Sequence, residues 1–134
     1  QGIQRLVTEF RANTLIDVNI QGSEDDFLRL PEPQAVALFH ICQEALANIA
    51  KHAKARRVEI VAWTTPQRAL LEVLDDGRGF DLDKVKMTIG HGLSNIKTRA
   101  GNVGGDVDIS SEIGSGTSVL AWVPLPEFDP LIVE

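Results

Sequence analysis

The chain has 134 residues, 43% hydrophobic and 24% charged, with thirteen basic against nineteen acidic side chains and a formal net charge of −6. That length makes one domain whose core needs no disulfide or metal staple, and the hydrophobic content sets it apart from disordered chains. The acidic balance excludes a general nucleic-acid binder, which needs a basic face for phosphate, but leaves room for a small local phosphate site.

Residues 3–12 repeat Ile3, Leu6, Val7 and Phe10 at helical spacing, and Asn13-Thr14 closes that helix. Residues 15–20 alternate apolar and polar and predict a strand. A polar turn with Gly22 follows, then a short edge strand at 27–30. Pro31 and Pro33 bracket the start of the strongest helix, 34–54. Its apolar stripe is Leu38, Cys42, Ala45, Leu46, Ile49 and Ala53. His40, Glu44, Asn48 and Lys51 cluster on the other side, with His52 at that cluster's edge, at about 100° per residue. Residues 58–63 and 70–74 predict two antiparallel strands joined by Thr64-Thr65-Pro66-Gln67. A glycine- and charge-rich connection spans 75–92. Residues 93–103 predict a second amphipathic helix (Leu93, Ile96, Ala100, Val103), stopped by Gly104-Gly105. Residues 107–111 and 117–123 predict a last hairpin, and Pro124 and Pro126 end the fold. The expected domain is 1–126, with a loosely held tail at 127–134. Hairpins with helices between them point to an α+β two-layer sandwich and away from a doubly wound parallel sheet.

Cys42 is the only cysteine, so it closes no intramolecular disulfide and fits a reducing compartment. No run approaches the roughly 20 apolar residues of a membrane span, and residues 1–9 mix charge with apolar side chains, unlike a signal peptide. The sequence starts at Gln1 rather than Met and reads as a portion of a longer protein, whose preceding part is where a membrane anchor or sensor would sit.

Four constellations carry chemistry. In Leu74-Asp75-Asp76-Gly77-Arg78-Gly79-Phe80 a strand runs into two carboxylates and two glycines. Asp75 at the sheet rim can accept from an amino group, and Gly77 and Gly79 admit positive φ and a flat ligand against the backbone. The same residues serve equally as a plain strand-ending turn. Gly90-His91-Gly92-Leu93 leads into a helix N-terminus, a ready phosphate cradle or simply a loop before a helix. Glu44 and Asn48 stand one turn apart on a polar helix face. An amide oxygen suits hydrated Mg²⁺ and Lys51 suits phosphate, although a solvated helix face looks the same. Gly114-Ser115-Gly116-Thr117 makes a hairpin turn and starts a strand at Thr117, whose hydroxyl could aim into a pocket. The histidines His40, His52 and His91 lack zinc spacing, and no Walker-type phosphate loop occurs; His40 reads as a boundary residue.

In order and combination, these boxes over about residues 34–125 resemble the Bergerat-fold ATP-binding domain of the gyrase, chaperone, histidine kinase and mismatch-repair superfamily. Gln43-Glu44-Ala45-Leu46-Ala47-Asn48-Ile49-Ala50-Lys51-His52-Ala53 resembles the N-box of bacterial sensor histidine kinases, and Gly92-Leu93-x-x-Ile96-x-x-Arg99 fits the short-lid subclass that includes nitrate sensors. The resemblance implies a mixed, mostly antiparallel sheet packed on three helices. It implies ATP and Mg²⁺ as ligands, with Asn48 on the metal, Glu44 near its waters, and Lys51 and His52 along the phosphates. Asp75 would accept from the adenine amino group, with Thr117 helping through a bridging water. Gly77 and Gly79 would line the adenine. Gly90, Gly92 and Leu93 would lie at the nucleotide, the glycines hinging a lid over 81–89 and cradling phosphate. Arg99 would at least support its helix. The implied reaction is transfer of the γ-phosphoryl to a histidine on a separate dimerisation helix, with a response regulator downstream, in a cytoplasmic domain that touches membrane only through upstream segments. The same fold also serves hydrolytic switches with a carboxylate like Glu44 as base, anti-sigma-factor serine kinases and non-catalytic ATP sensors.

Overall fold

The computed structural model describes residues 2–22, 30–79 and 91–126, with backbone alone at 52, 53 and 91–94. Helix α1 (Gly2–Thr14) turns Val7 and Phe10 inward. It ends where Leu15 takes a left-handed backbone, φ 60°, and donates its N–H to the Arg11 carbonyl. The Ile16 N–H meets Thr14 Oγ1. The strand expected at 15–20 therefore starts late. Strand β1 is Asp17–Gly22, because the first two residues of the apolar alternation are used to close the helix.

Helix α2 (Glu32–Asn48) follows Pro31 and carries Pro33 in its first turn, where the missing N–H has no partner to lose. It buries Ala37, Leu38, Ile41, Cys42, Ala45 and Leu46, the expected stripe widened by Ala37 and Ile41. The run continues through a π turn, Ile49–Ala53, and stops at Lys54 with φ 51°. Helical chain thus covers nearly the expected 34–54, but its last turn is wider than the 3.6-residue wheel assumed for Lys51 and His52. Burial pushes the Cys42 thiol up to about 12, so it packs as a small protonated hydrophobe.

Strands β2 (Arg57–Thr64) and β3 (Arg68–Asp75) form the first hairpin, its turn closed by N–H groups of Gln67 and Arg68 on Thr65 Oγ1. Helix α3 (His91–Gly101) begins two residues before the expected Leu93 and leaves Val103 in the following turn. Strands β4 (Asp106–Glu112) and β5 (Gly116–Pro124) complete the fold. The expected edge strand at 27–30 lies outside the described residues except for Leu30, which stands in a bend; the lid at 81–89, Gly90 and the tail at 127–134 also lie outside them.

The sheet order is β1-β2-β3-β5-β4. Among the described residues only β1 and β2 run parallel, as the crossover through α2 allows; the other three pairs are antiparallel. This is the expected α+β two-layer sandwich, a mixed and mostly antiparallel sheet packed on three helices. The helices cover one face. Val58, Ile60 and Ala62, then Ala69, Leu71 and Val73, then Val119, Ala121 and Val123, with Val107 on β4, are buried there. They alternate with outward residues at the strand period of two. The opposite face carries Trp63, Leu70 and Trp122 in one register row, half-buried, with the Arg68 guanidinium 4.1 Å from the Trp122 ring centre. No helix among the described residues is long and apolar enough to cross a membrane.

Candidate functional site

Chain direction decides which residues can meet. Gln34 near the start of α2 donates its side-chain N–H to the Pro124 carbonyl at 3.2 Å, and Pro124 pairs with Arg68, the first residue of β3. Helix α2 therefore starts over the beginning of β3. From Gln34 to Asn48 the helix advances about 21 Å at its 1.5 Å rise, and β3 covers about 24 Å from Arg68 to Asp75. Asn48 and Asp75 arrive at the same end. Helix α3 leaves the sheet at the opposite end. There the Gly105 N–H reaches the Ala100 carbonyl at 2.8 Å, and Asp106 pairs with Trp122. Its N-terminus, with the backbone of Gly92 and Leu93, points back toward Asn48. The end of α2, the end of β3, the start of β5 and the N-terminus of α3 converge.

Asp75 continues the buried series Ala69, Leu71, Val73 by one more step of two, so it stands on the helix-covered face. It pairs in register with Thr117, which begins the buried series Val119, Ala121, Val123 on the same face. Both are half-buried. Asp75 Oδ1 accepts the Gly77 N–H at 2.8 Å. Burial raises the Asp75 carboxyl above its usual value; backbone N–H bonds from Gly77 and Thr117 pull it back only in part, and neighbouring Asp76 pushes it further up. A partly desolvated carboxylate at the rim of a covered face is a strong acceptor.

The row does not stop at Thr117. Ser111 on β4 pairs with it, the two hydroxyl oxygens lie 2.9 Å apart, and Ser111 Oγ also donates to the Gly116 carbonyl at 3.1 Å. Sequence reasoning missed Ser111. The signal was available: 111 and 117 are symmetric about the turn centred on Gly114, so an antiparallel hairpin sets them opposite each other.

The glycines answer first to the chain itself. Gly79 has φ 65°, and a Cβ there would lie 2.0 Å from the Glu112 carbonyl; Gly116 has φ 83°, and its Cβ would lie 2.1 Å from the Asp75 carbonyl. With the Gly114 N–H on the Arg78 carbonyl at 2.6 Å, the loop after β3 is seated backbone to backbone on the β4–β5 hairpin. The left-handed conformation expected at both Gly77 and Gly79 falls on Gly79; Gly77 is buried and bound to Asp75. Asp76 is a tie on the exposed side. Its Oδ1 takes the N–H groups of Arg56 and Arg57 at 2.8 and 3.0 Å, the Arg57 bond being the main cause that lowers its carboxyl below the usual value. Gly116→Ala is expected to cost roughly 3 kcal/mol or more through left-handed strain and backbone collision, and to displace Asp75. Denaturant unfolding read beside ATP titration checks both effects.

On α2, Glu44 and Asn48 are half-buried and one turn apart, while Lys51 is exposed on the π turn, where His52 also lies. Among the described residues neither the Asn48 amide nor the Glu44 carboxylate has a protein hydrogen-bond partner, and no cluster of three His, Cys, Asp or Glu could hold a metal alone. His40 bonds Gln43 at 3.2 Å and packs edge-on to Phe39, the boundary residue it was read to be. Arg99 is exposed in the last turn of α3, at the end of the sandwich away from Asp75.

Residues 34–127 match the family of histidine kinase-, DNA gyrase B-, and HSP90-like ATPases, and the chain belongs to it. Among curated proteins it is similar to the sensor histidine kinase LiaS of Bacillus subtilis, 34% identical over 125 residues, which are 93% of this chain and 34% of that protein. It is also similar to the signal transduction histidine-protein kinase/phosphatase UhpB of Salmonella typhimurium, 34% identical over 119 residues, 89% of this chain and 23% of that protein. The chain thus spans about a third or less of these relatives' length. The histidine kinase domain of a blue-light activated histidine kinase from Erythrobacter litoralis shares the fold, with a TM-score of 0.76 at 21% identity over 92% of this chain and 59% of that one.

Proposed function

We propose that this domain binds Mg·ATP at the end of the sandwich where α2, β3, β5 and α3 converge, and presents its γ-phosphoryl to a histidine on a separate dimerisation helix. The reading is supported most by one observation: Asp75, a half-buried carboxylate on the helix-covered face, stands at the same end as Asn48 and the α3 N-terminus. A single acceptor is what an exocyclic purine amine needs, and a helix N-terminus with glycine is what polyphosphate needs. Asp75 takes the adenine amino group, Thr117 assists through a bridging water, and Gly77 and Gly79 shape the wall under the ring. Gly90, Gly92 and Leu93 lie at the nucleotide, with Lys51 and His52 along the phosphates.

The donor set fits a hydrated cation. One amide oxygen at Asn48 and one carboxylate a turn earlier at Glu44, without protein partners among the described residues, suit Mg²⁺, which keeps waters and takes phosphate oxygens. When bound, the cation supplies neutralisation of charge on the phosphates. Asn48 holds, Glu44 orients a water or Lys51, and the chain's contribution to rate is positioning. The accepting histidine and its acid–base partner come from the dimerisation helix, so this domain alone phosphorylates itself poorly. The short-lid, nitrate-sensor-like subclass, the cytoplasmic location and a downstream response regulator complete the reading; direct nucleic-acid binding is no part of it.

The test is calorimetric titration with ATP, with and without Mg²⁺, followed by γ-labelled ATP with a supplied histidine-bearing helical partner. Expected are micromolar or weaker Mg²⁺-dependent binding and label on the partner's histidine. Binding without transfer, with steady ATP hydrolysis instead, would move the domain to the hydrolytic-switch branch. No binding at all would end the nucleotide reading.

A further inference from the structure

The hydroxyl row across the sheet end can run either way, and the Gly116 carbonyl favours one direction. A serine hydroxyl carries one proton, and the Gly116 carbonyl at 3.1 Å can only accept. With the Ser111 proton on that carbonyl, the 2.9 Å contact between Ser111 Oγ and Thr117 Oγ1 is made by the Thr117 proton. Thr117 has then spent its only donor on Ser111. What it offers the site beside Asp75, its register partner, is lone pairs alone. Asp75 Oδ1 already takes the Gly77 N–H, and its carboxylate also accepts. The rim therefore presents two acceptors and no side-chain donor from this pair.

We propose that Ser111 is a positioning residue for base selectivity: by fixing Thr117 as an acceptor it makes the site demand donors, and so selects a 6-amino purine over a 6-oxo purine. The proposal rests on the adenine reading of Asp75. An amino group has two protons, one for the carboxylate and one for Thr117, directly or through a water. A 6-oxo group turns lone pairs toward two acceptors and is repelled. Without Ser111 the Thr117 hydroxyl rotates freely and can donate, so the 6-oxo ligand regains a partner while the 6-amino ligand loses an aligned one. Buried polar sites discriminate most where a mismatch leaves groups unpaired.

The experiment titrates ATP and inosine triphosphate, which has an oxo group at the 6-position, into the 134-residue chain. The wild type is expected to prefer ATP by tenfold or more. Ser111→Ala is expected to shrink that preference by about five- to tenfold, the worth of one oriented hydrogen bond, with the melting curve still cooperative. Ser111→Thr, which keeps the hydroxyl, is expected to restore it. Ser111→Cys, of like size and weak donor strength, gives the same direction as alanine and covers an alanine variant that fails to fold. In a Thr117→Val background Ser111→Ala is expected to change the preference no further, since it acts through Thr117. A wild type indifferent to the two nucleotides would overturn the adenine reading itself. A wild type that discriminates, with Ser111→Ala and Ser111→Cys discriminating equally well, would overturn this proposal and leave that reading standing. So would additive effects in the Thr117→Val background.

Discussion

Asp75→Asn is expected to weaken ATP binding by about 10- to 100-fold while leaving the fold as stable as before or more so. The two signs follow from one placement. The carboxylate is half-buried on the helix-covered face, and its carboxyl lies above the usual 3.8 because burial outweighs the N–H bonds from Gly77 and Thr117. The folded state therefore disfavours the charge relative to the unfolded chain. That penalty is fully present at neutral pH, fades as the pH falls through the raised value, and is gone below 3.8. The amide removes the penalty at all pH values and still offers an oxygen to the Gly77 N–H. Binding moves the other way. A charge-assisted bond to the adenine amine is worth ~1.5–3 kcal/mol, and the amide gives up the charge. For the wild type, ATP affinity accordingly falls as acid protonates Asp75, at a higher pH than for an aspartate free of that burial. Calorimetric titration of both proteins, with melting curves across the same pH series, checks the pair of trends. Equal ATP affinity in the variant would remove Asp75 from the base site; a marked loss of stability would show that the charge holds the loop together.

Much of the fold was legible because the decisive signals were local. The α2 stripe repeats at helical spacing over four turns, and Pro31 with Pro33 marks its start. Both hairpins alternate cleanly around turn residues. What escaped was non-local or belonged to junctions. Nothing in the β1 residues says that they lie parallel to β2 with α2 as the crossover, or that β5 inserts between β3 and β4's edge; those pairings come from which apolar faces fit together. Leu15 reads as a strand residue by hydropathy, yet it is 90% exposed and left-handed, because capping α1 takes precedence over the alternation. The π turn at Ile49–Ala53 is equally silent. An angular wheel extrapolated from Glu44 and Asn48 loses its phase there, so Lys51 was placed on a face that the wider turn alters.

Within the candidate site, residue type was legible and mutual position was not. Asp75 announced itself as a carboxylate after an apolar strand, but its burial follows from strand parity: it shares a face with Val73 only because the core lies under the odd-numbered residues of β3. Gly79 reads toward a ligand, and the structure gives it a prior duty, since it meets the Glu112 carbonyl; Gly116, which reads as a turn residue, likewise meets the Asp75 carbonyl. Ser111 was overlooked because serine before a turn is commonplace. The pairing with Thr117, which hairpin symmetry could have supplied, gives it a role.

Asn48→Ala is expected to abolish phosphotransfer, a fall of about three orders of magnitude, while leaving adenine recognition in place. Asn48 ends α2 at the site end, half-buried, its amide without a protein partner among the described residues. In the proposed reading that amide oxygen fixes the cation against the phosphates. Loss of a fixed cation removes several kcal/mol of charge stabilisation from a reaction that depends on positioning and electrostatics, and each ~1.4 kcal/mol is tenfold in rate. The fold tolerates the change, because alanine is the better helix former and leaves no bonded partner behind among those residues. Base recognition survives, since Asp75 and Thr117 lie on the sheet and do not depend on the amide. Metal removal separates the two contributions. With Mg²⁺ the variant binds ATP more weakly than the wild type; in excess chelator the two bind alike, because the contact that distinguishes them is then absent from both. Rates of label transfer to a supplied histidine-bearing helix, with titrations in Mg²⁺ and in chelator, measure each quantity. Transfer at wild-type rate would take Asn48 off the metal, and a difference in affinity that persists in chelator would mean that the amide touches the nucleotide itself.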